Sequence, residues 1–233
     1  SYLVSMRGHR NTATTLVCPL DNVNDTEIYI YSASQLASVG DLSGLKVGYA
    51  DFSRATRLQS IKLGDGDPSY DNSNLGAGDS TLTFGNNTLL QTVDVRNCSA
   101  LGTGTQKTVD LSGCTNIEHV YFSGTAVTGV TLPNGGVLKT IQLPGTITNL
   151  TIRNQTQITS FTLPDYTNIT TLRLENYSVV IPDWNILHAM PAGGRVRIIG
   201  FDWTVANETE LTALKTLLDS MRGIDANGGN MAN

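Results

Sequence analysis

The sequence predicts a mainly β fold: a solenoid with coils of about 21 residues and two strands each, capped by C-terminal helices. Three observations predict it. A short apolar pattern recurs along most of the chain, alternate copies of the pattern are followed by different turn residues, and the composition favours strand surfaces and turns. Hydrophobic residues make up 39% of the 233 residues and charged residues only 15%. Thr, Ser, Asn and Gly supply most of the remainder.

The recurring pattern is apolar-x-x-apolar-x-apolar, in which the last two apolar side chains of a short strand point inward. One copy departs from it, because Gln106 takes the first apolar position. Later copies end at positions 111, 122, 132, 143, 152, 163 and 174, so the steps between them are short and nearly regular. Such a step holds a strand and a tight turn but no full helix. The nine copies are LQSIKL (58–63), LQTVDV (90–95), QKTVDL (106–111), IEHVYF (117–122), VTGVTL (127–132), LKTIQL (138–143), ITNLTI (147–152), ITSFTL (158–163) and ITTLRL (169–174).

Turn residues differ between alternate copies, which is why each coil is predicted to contain two strands. Asparagine recurs shortly after a copy at Asn97, Asn134, Asn154 and Asn176. We expect these side chains to form a column of buried amides, each serving backbone N–H and C=O groups that a bend leaves unpaired. The alternative is that asparagine simply favours turns.

The chain is expected to divide into three parts. Residues 1–40 form an N-terminal lead-in and first strand, residues 41–203 form the repeat, and residues 204–233 form a capping helix and linker. Within the repeat, GDGDPSYDNSNLGAGDS (64–80) has the composition of an exposed loop.

The C-terminal region changes pattern. PDWNILHAMP (182–191) has helical spacing, and RVRIIGFDW (195–203) is predicted to be the last strand. NETELTALKTLLDSMRG (207–223) has a helix cap at Asn207 and a glycine at its end. We expect it to cover the open end of the solenoid, with partner docking as the alternative. The linker-like residues 224–233 and the initial Ser suggest a fragment of a longer protein.

The pattern resembles the leucine-rich repeat, L-x-x-L-x-L-x-x-N/C-x-L. LQTVDVRNC and KTVDLSGC place Cys98 and Cys114 at its N/C position, which implies buried, unreactive thiols. Later copies depart from it, with Gly135, Gln155 and Tyr177 at that position. The convex side is also predicted to be strand, so we expect a straighter stack than a horseshoe.

Part of the sequence is similar to leucine-rich segments of long phage and prophage structural proteins from gut bacteria. The similar stretches are VDLSGCTNIEHVYFSGTAVTGVTLPNGGVLKTIQLPGTITNLTIRNQ, ITTLRLENY and RVRIIGFDWT. Those segments are tail or surface-associated. The resemblance covers residues 28–233. It implies a leucine-rich-repeat-like solenoid at a virion or extracellular surface, and it brings no catalytic residue with it.

Composition and motifs argue against several functions. A net charge of −5 is unfavourable for binding nucleic-acid phosphates, and no apolar run is long enough for membrane insertion. Three cysteines do not make a disulfide framework. The histidines are scattered, so the sequence predicts no metal, no cofactor and no catalytic residue. Two alternatives are weaker: calcium held by Asp65, Asp67 and Asp71, and glycan hydrolysis by the Asp94–Asp110 pair.

The resulting expectation is a non-catalytic module, not an enzyme, that presents a surface to a host cell-surface protein or glycan, or to other virion proteins. An architectural spacer in a virion tail protein is the alternative, and a β-solenoid polysaccharide hydrolase is a third. Arg96, Arg153 and Arg173 are the first candidates for mutation. The predicted outward columns are Asp94, Asp110, Thr131, Thr151 and Arg173 on one side, and Tyr121, Gln142 and Thr162 on the other.

Overall fold

The computed structural model describes residues 4–6, 28–30, 34, 36–44, 47–67, 69, 72–165, 167–177 and 194–199. Within these ranges the chain is mainly β, its strands pair in parallel, and it has almost no helix. The prediction of a mainly β fold is therefore confirmed. The helices predicted at 182–191 and 207–223 lie outside the described residues.

Fourteen strands are described, and most of them belong to two five-stranded parallel sheets. Sheet I has the order β12-β10-β8-β6-β4, and sheet II has the order β14-β13-β11-β9-β7. Two smaller pairs, β1-β2 and β3-β5, are also parallel. The strands are β1 (Val4–Met6), β2 (Ile28–Ile30), β3 (Ala50–Asp51), β4 (Ser60–Lys62), β5 (Leu82–Thr83), β6 (Thr92–Asp94), β7 (Thr108–Asp110), β8 (His119–Tyr121), β9 (Gly129–Thr131), β10 (Thr140–Gln142), β11 (Asn149–Gln155), β12 (Ser160–Thr162), β13 (Thr171–Tyr177) and β14 (Arg195–Ile199).

From β6 to β13, consecutive strands of the chain enter alternate sheets, as the two-strand repeat predicts. Ile141 pairs with Val120 in the second copy before its own and with Phe161 in the second copy after it. In sheet II, Val109 pairs with Val130, which again lies two copies later. Each of the nine predicted copies contains a strand. The pattern missed β3 and β5, two short strands that precede β6.

The inward apolar positions of both sheets meet in one core cluster. Val93, Val109, Val120 and Ile141 are each fully buried, although neighbouring copies belong to different sheets. Burial removes these side chains from water, which stabilises the fold by roughly 1.5–3 kcal/mol for each large aliphatic side chain. The strands are short in most copies, so packing of these side chains is the main force holding them.

Gln106 departs from the apolar pattern because its side-chain amide bonds to the backbone of β5, as a neighbouring strand would. Its Oε1 accepts a hydrogen bond of 2.8 Å from the Leu82 N–H, and its Nε2 donates one of 2.8 Å to the Leu82 carbonyl. Leu82 lies in β5, at the edge of the β3-β5 pair that faces β7 of sheet II. The described strands β5 and β7 do not pair with each other. The amide of Gln106 therefore satisfies backbone groups that would otherwise lack a partner.

The segment 64–80 is less exposed than its composition predicts. Asn72 and Leu75 are both fully buried. The Asn72 Nδ2 donates to the carbonyls of Leu42 and Leu63, while its Oδ1 accepts from the Val47 N–H. The prediction of an exposed loop is therefore wrong for Asn72 and Leu75, because this polar segment carries its own buried amide and an apolar anchor.

Candidate functional site

Sheet II carries an outward column that changes from acidic to basic along the stack. Asp110 pairs with Thr131, and Arg173 pairs with both Thr151 and Arg197. The pairing of Asn149 with Gly129 places Thr151 next to Thr131. Asp110, Thr131, Thr151 and Arg173 therefore share one sheet, as predicted, and all but the half-buried Arg173 are exposed.

Asp94, Arg96 and Asn97 do not belong to this column. Asp94 lies in β6 of sheet I, where it pairs with Lys62 and Tyr121. The prediction that Asp94 shares a face with Asp110 is wrong. The physical reason is the alternation of consecutive copies between the two sheets, which places β6 and β7 on different sheets. The local sequence hides this difference, because both copies have an aspartate directly after an inward valine.

Three arginines of sheet II converge on one carboxylate. Arg153 Nε donates to Glu175 Oε2 at 2.7 Å, and Arg173 Nε donates to Glu175 Oε1 at 2.7 Å. Arg197 Nε lies 3.0 Å from the same Oε1. These four residues, here called the arginine cluster, come from β11, β13 and β14, so the cluster ties three neighbouring strands together.

The arginine cluster keeps a net positive charge. The hydrogen bond from Arg173, followed by that from Arg153, lowers the pKa of Glu175 from 4.5 to about 2, so this carboxylate stays ionised near neutral pH. Three guanidinium charges and one carboxylate leave a net charge of +2. Arg195, which is exposed on β14, adds a further positive charge nearby.

Among the described residues, these guanidinium groups find partners for only a small part of their hydrogen-bonding capacity. Each guanidinium has five N–H donors, and the contacts with Glu175 use the Nε–H. Within the described part of the chain, the terminal nitrogens of Arg153, Arg173 and Arg197 donate no hydrogen bond. The side chain of Arg197 is 62% exposed, whereas that of Glu175 is only 13% exposed. The donors thus lie at the surface above a largely buried acceptor.

The outward surface of sheet I is different, because its charges are paired. Arg96 Nη2 lies 2.6 Å from Asp94 Oδ2, and its guanidinium carbon lies 5.1 Å from the centre of the Tyr121 ring. The His119 ring stacks on Tyr121 with centroids 6.1 Å apart. Lys139 pairs with Glu118 at 2.6 Å. Tyr121 shares this sheet with Gln142 and Thr162, as predicted.

The asparagine column exists in part, but it is exposed. Asn154 Nδ2 donates to Asn134 Oδ1 at 2.8 Å, and Asn176 Nδ2 donates to Asn154 Oδ1 at 3.0 Å. All three side chains are solvent-exposed, so the prediction of buried amides at these positions is wrong. Asn97 also lies outside the column, because it follows β6 of sheet I, where its Nδ2 donates to the Asp65 carbonyl.

The buried amides that serve the bends are different residues. Asn87 Nδ2 donates to the carbonyls of Phe52 and Ala55, and its Oδ1 accepts from the Gly85 N–H. Gln155 Nε2 donates to the Pro133 carbonyl, and its Oε1 accepts from the Leu138 N–H.

Asn87 and Gln155 occupy the same position in the repeat as Cys98 and Cys114. Each of the four is the fifth residue after the first inward residue of its strand, which is Leu82, Leu150, Val93 or Val109 respectively. Sequence reasoning had placed Gln155 at this position as a departure from the repeat, and it missed Asn87 because β5 was not among the nine copies.

Cys98 and Cys114 are fully buried, as predicted. Burial raises the pKa of the Cys114 thiol to about 11. The Cys98 thiol lies 3.6 Å from the Leu63 carbonyl oxygen, which accepts its hydrogen bond. Both thiols therefore lie at the inner position of the repeat at which Asn87 and Gln155 place their amides.

The alternative chemical sites find little geometric support. Asp94 and Asp110 lie on different sheets, and Asp94 is paired with Arg96. Asp65 and Asp67 accept hydrogen bonds from nearby backbone N–H groups, whereas Asp71 lies outside the described residues. Across the described ranges, no group of three or more His, Cys, Asp or Glu side chains has the geometry of a metal site. The same ranges contain no helix that is long and apolar enough to cross a membrane.

Sequence reasoning identified Arg153 and Arg173 but missed Glu175 and Arg197. The signal was present in the register. Aligning the copies ITNLTIRN and ITTLRLEN places Arg153 beside Glu175. Adding the segment RVRII to the alignment places Arg173 beside Arg197.

No protein-family model, curated protein or solved structure matches the chain.

Proposed function

We propose that the chain is a leucine-rich-repeat-like solenoid that belongs to a phage tail or another extracellular structural protein, and that it binds a host cell-surface glycan or protein without catalysing a reaction. The alternation of strands between two parallel sheets over one shared core supports the solenoid. A solenoid presents a long and rigid surface, which suits recognition of extended partners. The assignment to a virion rests on the similarity of the repeat sequence to segments of phage structural proteins.

The observation that carries this proposal is the arginine cluster. Sheet I neutralises its charges in pairs, whereas in sheet II the exposed guanidinium of Arg197 and the half-buried guanidinium groups of Arg153 and Arg173 share a single carboxylate. Exposed cations held in a fixed arrangement increase the rate and specificity with which a charged partner binds.

Retention of the fluorescently labelled chain on intact gut bacterial cells tests the proposal. We expect saturable retention that falls at least tenfold in a variant lacking the three arginines, while a variant with the same charge loss on sheet I is retained normally. Retention that is equal in the two variants would exclude this face. The test variant is Arg153→Ala/Arg173→Ala/Arg197→Ala, and the matched control is Lys62→Gln/Arg96→Gln/Lys139→Gln.

The same material distinguishes the other two functions. A native chain that no cell or polysaccharide retains would support an architectural spacer, and the binding proposal would fail. Release of reducing ends from a polysaccharide panel would instead identify a hydrolase. We expect no release of sugar, since the Asp94–Asp110 pair is separated between the two sheets.

A further inference from the structure

We infer that the arginine cluster binds an acidic polysaccharide, one whose sugar units carry carboxylate or sulfate groups. This inference rests on the proposed binding function and names the class of ligand that the same face recognises. It follows from the unused donors, from their arrangement across neighbouring strands, and from the kinds of side chain that surround them.

The chemistry of the free donors selects an oxyanion. A guanidinium group binds a carboxylate or sulfate through two parallel N–H···O bonds, and such charged bonds are roughly twice as strong as neutral ones. Glu175 already accepts hydrogen bonds from the Nε–H groups of Arg153 and Arg173, and its Oε1 lies 3.0 Å from Nε of Arg197, so it restricts where the guanidinium planes lie. A ligand that binds the remaining N–H groups therefore loses less side-chain entropy on binding than one that has to order free arginines.

The spacing of the donors suits a repeating ligand. Arg173 and Arg197 pair with each other across β13 and β14, whereas Arg153 on β11 lies two residues further along, beside Glu175. The three cations therefore cross three neighbouring strands of one parallel sheet obliquely. Neighbouring strands lie about 4.8 Å apart, which is close to the length of one sugar unit in a polysaccharide. Acidic groups repeated along a glycan chain that crosses the strands would meet successive cations. A small isolated anion would use only part of this arrangement.

The neighbouring side chains favour a sugar over a protein or a nucleic acid. Asn149, Thr131 and Thr151 are exposed on the same sheet and offer amide and hydroxyl groups to sugar hydroxyls. The large hydrophobic side chains that are exposed in the described part of the chain are Tyr49 and Leu89, and neither lies on sheet II. Protein hot spots usually need an apolar anchor, and single-stranded nucleic acid needs aromatic rings for base stacking.

The experiment compares two polymers with the same sugar backbone, one with ionised carboxylates and one in which methyl esters neutralise them. The full chain is titrated with polygalacturonate and with fully methyl-esterified polygalacturonate, and binding is measured by interferometry at low salt and at 0.3 M salt. We expect the ester to bind at least tenfold more weakly, and we expect the higher salt to weaken polygalacturonate binding at least threefold. Equal binding of the two polymers, together with equal binding of sulfated and neutral dextran, overturns the inference, and this comparison needs no mutant to fold.

Variants then locate the site. We expect Arg153→Ala/Arg173→Ala/Arg197→Ala to lose at least tenfold in affinity for polygalacturonate. Replacing the same three residues with lysine keeps the charge but removes the paired donors, so we expect a smaller loss, of about threefold to fivefold. The sheet I control, Lys62→Gln/Arg96→Gln/Lys139→Gln, should bind normally. An equal loss in this control overturns the inference, because it would show a dependence on overall charge alone.

Two outcomes separate this inference from the proposed function. If the chain is retained on cells but prefers neither polygalacturonate nor a sulfated dextran over its neutral counterpart, the acidic-polysaccharide inference fails while the binding function stands. If neither cells nor polymers retain the chain, both fail. Binding of a single-stranded oligonucleotide as tightly as polygalacturonate overturns the inference in favour of a general polyanion surface.

Discussion

Asn154 has a left-handed backbone, with φ of +53°, and its side chain joins Asn134 to Asn176. Asparagine tolerates this conformation better than residues that lack a short polar side chain, for which it costs about 1–2 kcal/mol. Asn176 also has a left-handed backbone conformation, with φ of +45°. The exposed column therefore combines a conformational requirement with hydrogen bonds between neighbouring strands of sheet II.

We expect Asn154→Ala to lower the free energy of unfolding by about 1–2 kcal/mol, because alanine is strained at this φ and makes neither amide bond. Asn154→Gly should lose less than half as much, since glycine adopts this backbone freely. Asn134→Ala, at a residue without positive φ, serves as the control and should stay within about 0.5 kcal/mol. Urea denaturation measures all three. Equal losses for the alanine and glycine variants at 154 would contradict this account.

The buried thiols should be protected from reaction in the folded chain. Only the thiolate reacts readily, and Cys114 is fully buried with a raised pKa of about 11. In a Cys18→Ser background we expect Cys98 and Cys114 to alkylate at least a hundredfold more slowly in buffer than in 6 M guanidinium chloride, as followed by peptide mass spectrometry. Rapid labelling of Cys114 at pH 8 without denaturant would show that the position of this thiol is accessible to solvent, and it would contradict this prediction.

At the scale of the strands, Gln106 shows why a departure from the repeat need not be a weak point. We expect Gln106→Leu, which restores the apolar consensus, to destabilise the fold by about 1–3 kcal/mol, because Leu82 loses hydrogen bonds to both its N–H and its carbonyl. The control is Gln91→Leu at an exposed position, with an expected change within about 0.5 kcal/mol. Thermal and urea unfolding measure both variants, and a stabilised Gln106→Leu variant would refute the bridging role.

The arginine cluster makes the joining of β11, β13 and β14 sensitive to acid. Hydrogen bonds from Arg173 and Arg153 lower the pKa of Glu175 from 4.5 to about 2, so the folded state favours the carboxylate. The resulting stabilisation is complete above about pH 4.5 and is lost as the pH falls through about 2. We expect Glu175→Gln to be less stable than the native chain at pH 7, with the difference shrinking between pH 4.5 and pH 2.

Urea unfolding at several pH values measures this difference. In a background that lacks Arg153, Arg173 and Arg197, Glu175→Gln should make no comparable pH-dependent difference, because the cause of the lowered pKa has been removed. If the native chain and its Glu175→Gln variant differed in stability by the same amount from pH 7 to pH 2, the cluster would not act as described.

The sequence predicted the strands well because their signal is local. Each copy places two inward apolar residues around one outward residue, and all nine copies contain a strand. The alternation between sheets was predicted for the later copies, where spacing is regular. It was misassigned for Asp94 and Asn97, since β6 pairs with β8 across a longer stretch of sequence than the later strands do. Irregular spacing near the start hid the register, and β3 and β5 are too short to show a pattern.

The candidate site was only half predictable for a related reason. Arg153 and Arg173 stand out as outward charges, but their grouping with Glu175 and Arg197 depends on pairing between β11, β13 and β14. Pairing of that kind joins residues that are two copies of the pattern apart, or further, and has no local signature. Once the register is known, the charge pattern of the two faces follows directly.

For the molecule as a whole, the central claim is that successive copies of sheet II lie above one another in register from Asp110 to Arg197. Nitroxide labels on Asp110→Cys and Arg197→Cys, in a Cys18→Ser background, test it by pulsed electron spin resonance. The two positions lie four strand spacings apart, so we expect one narrow distance distribution centred near about 20 Å. A broad distribution, or one centred beyond about 30 Å, would show that the strands do not stack and would contradict both the fold and the placement of the binding face.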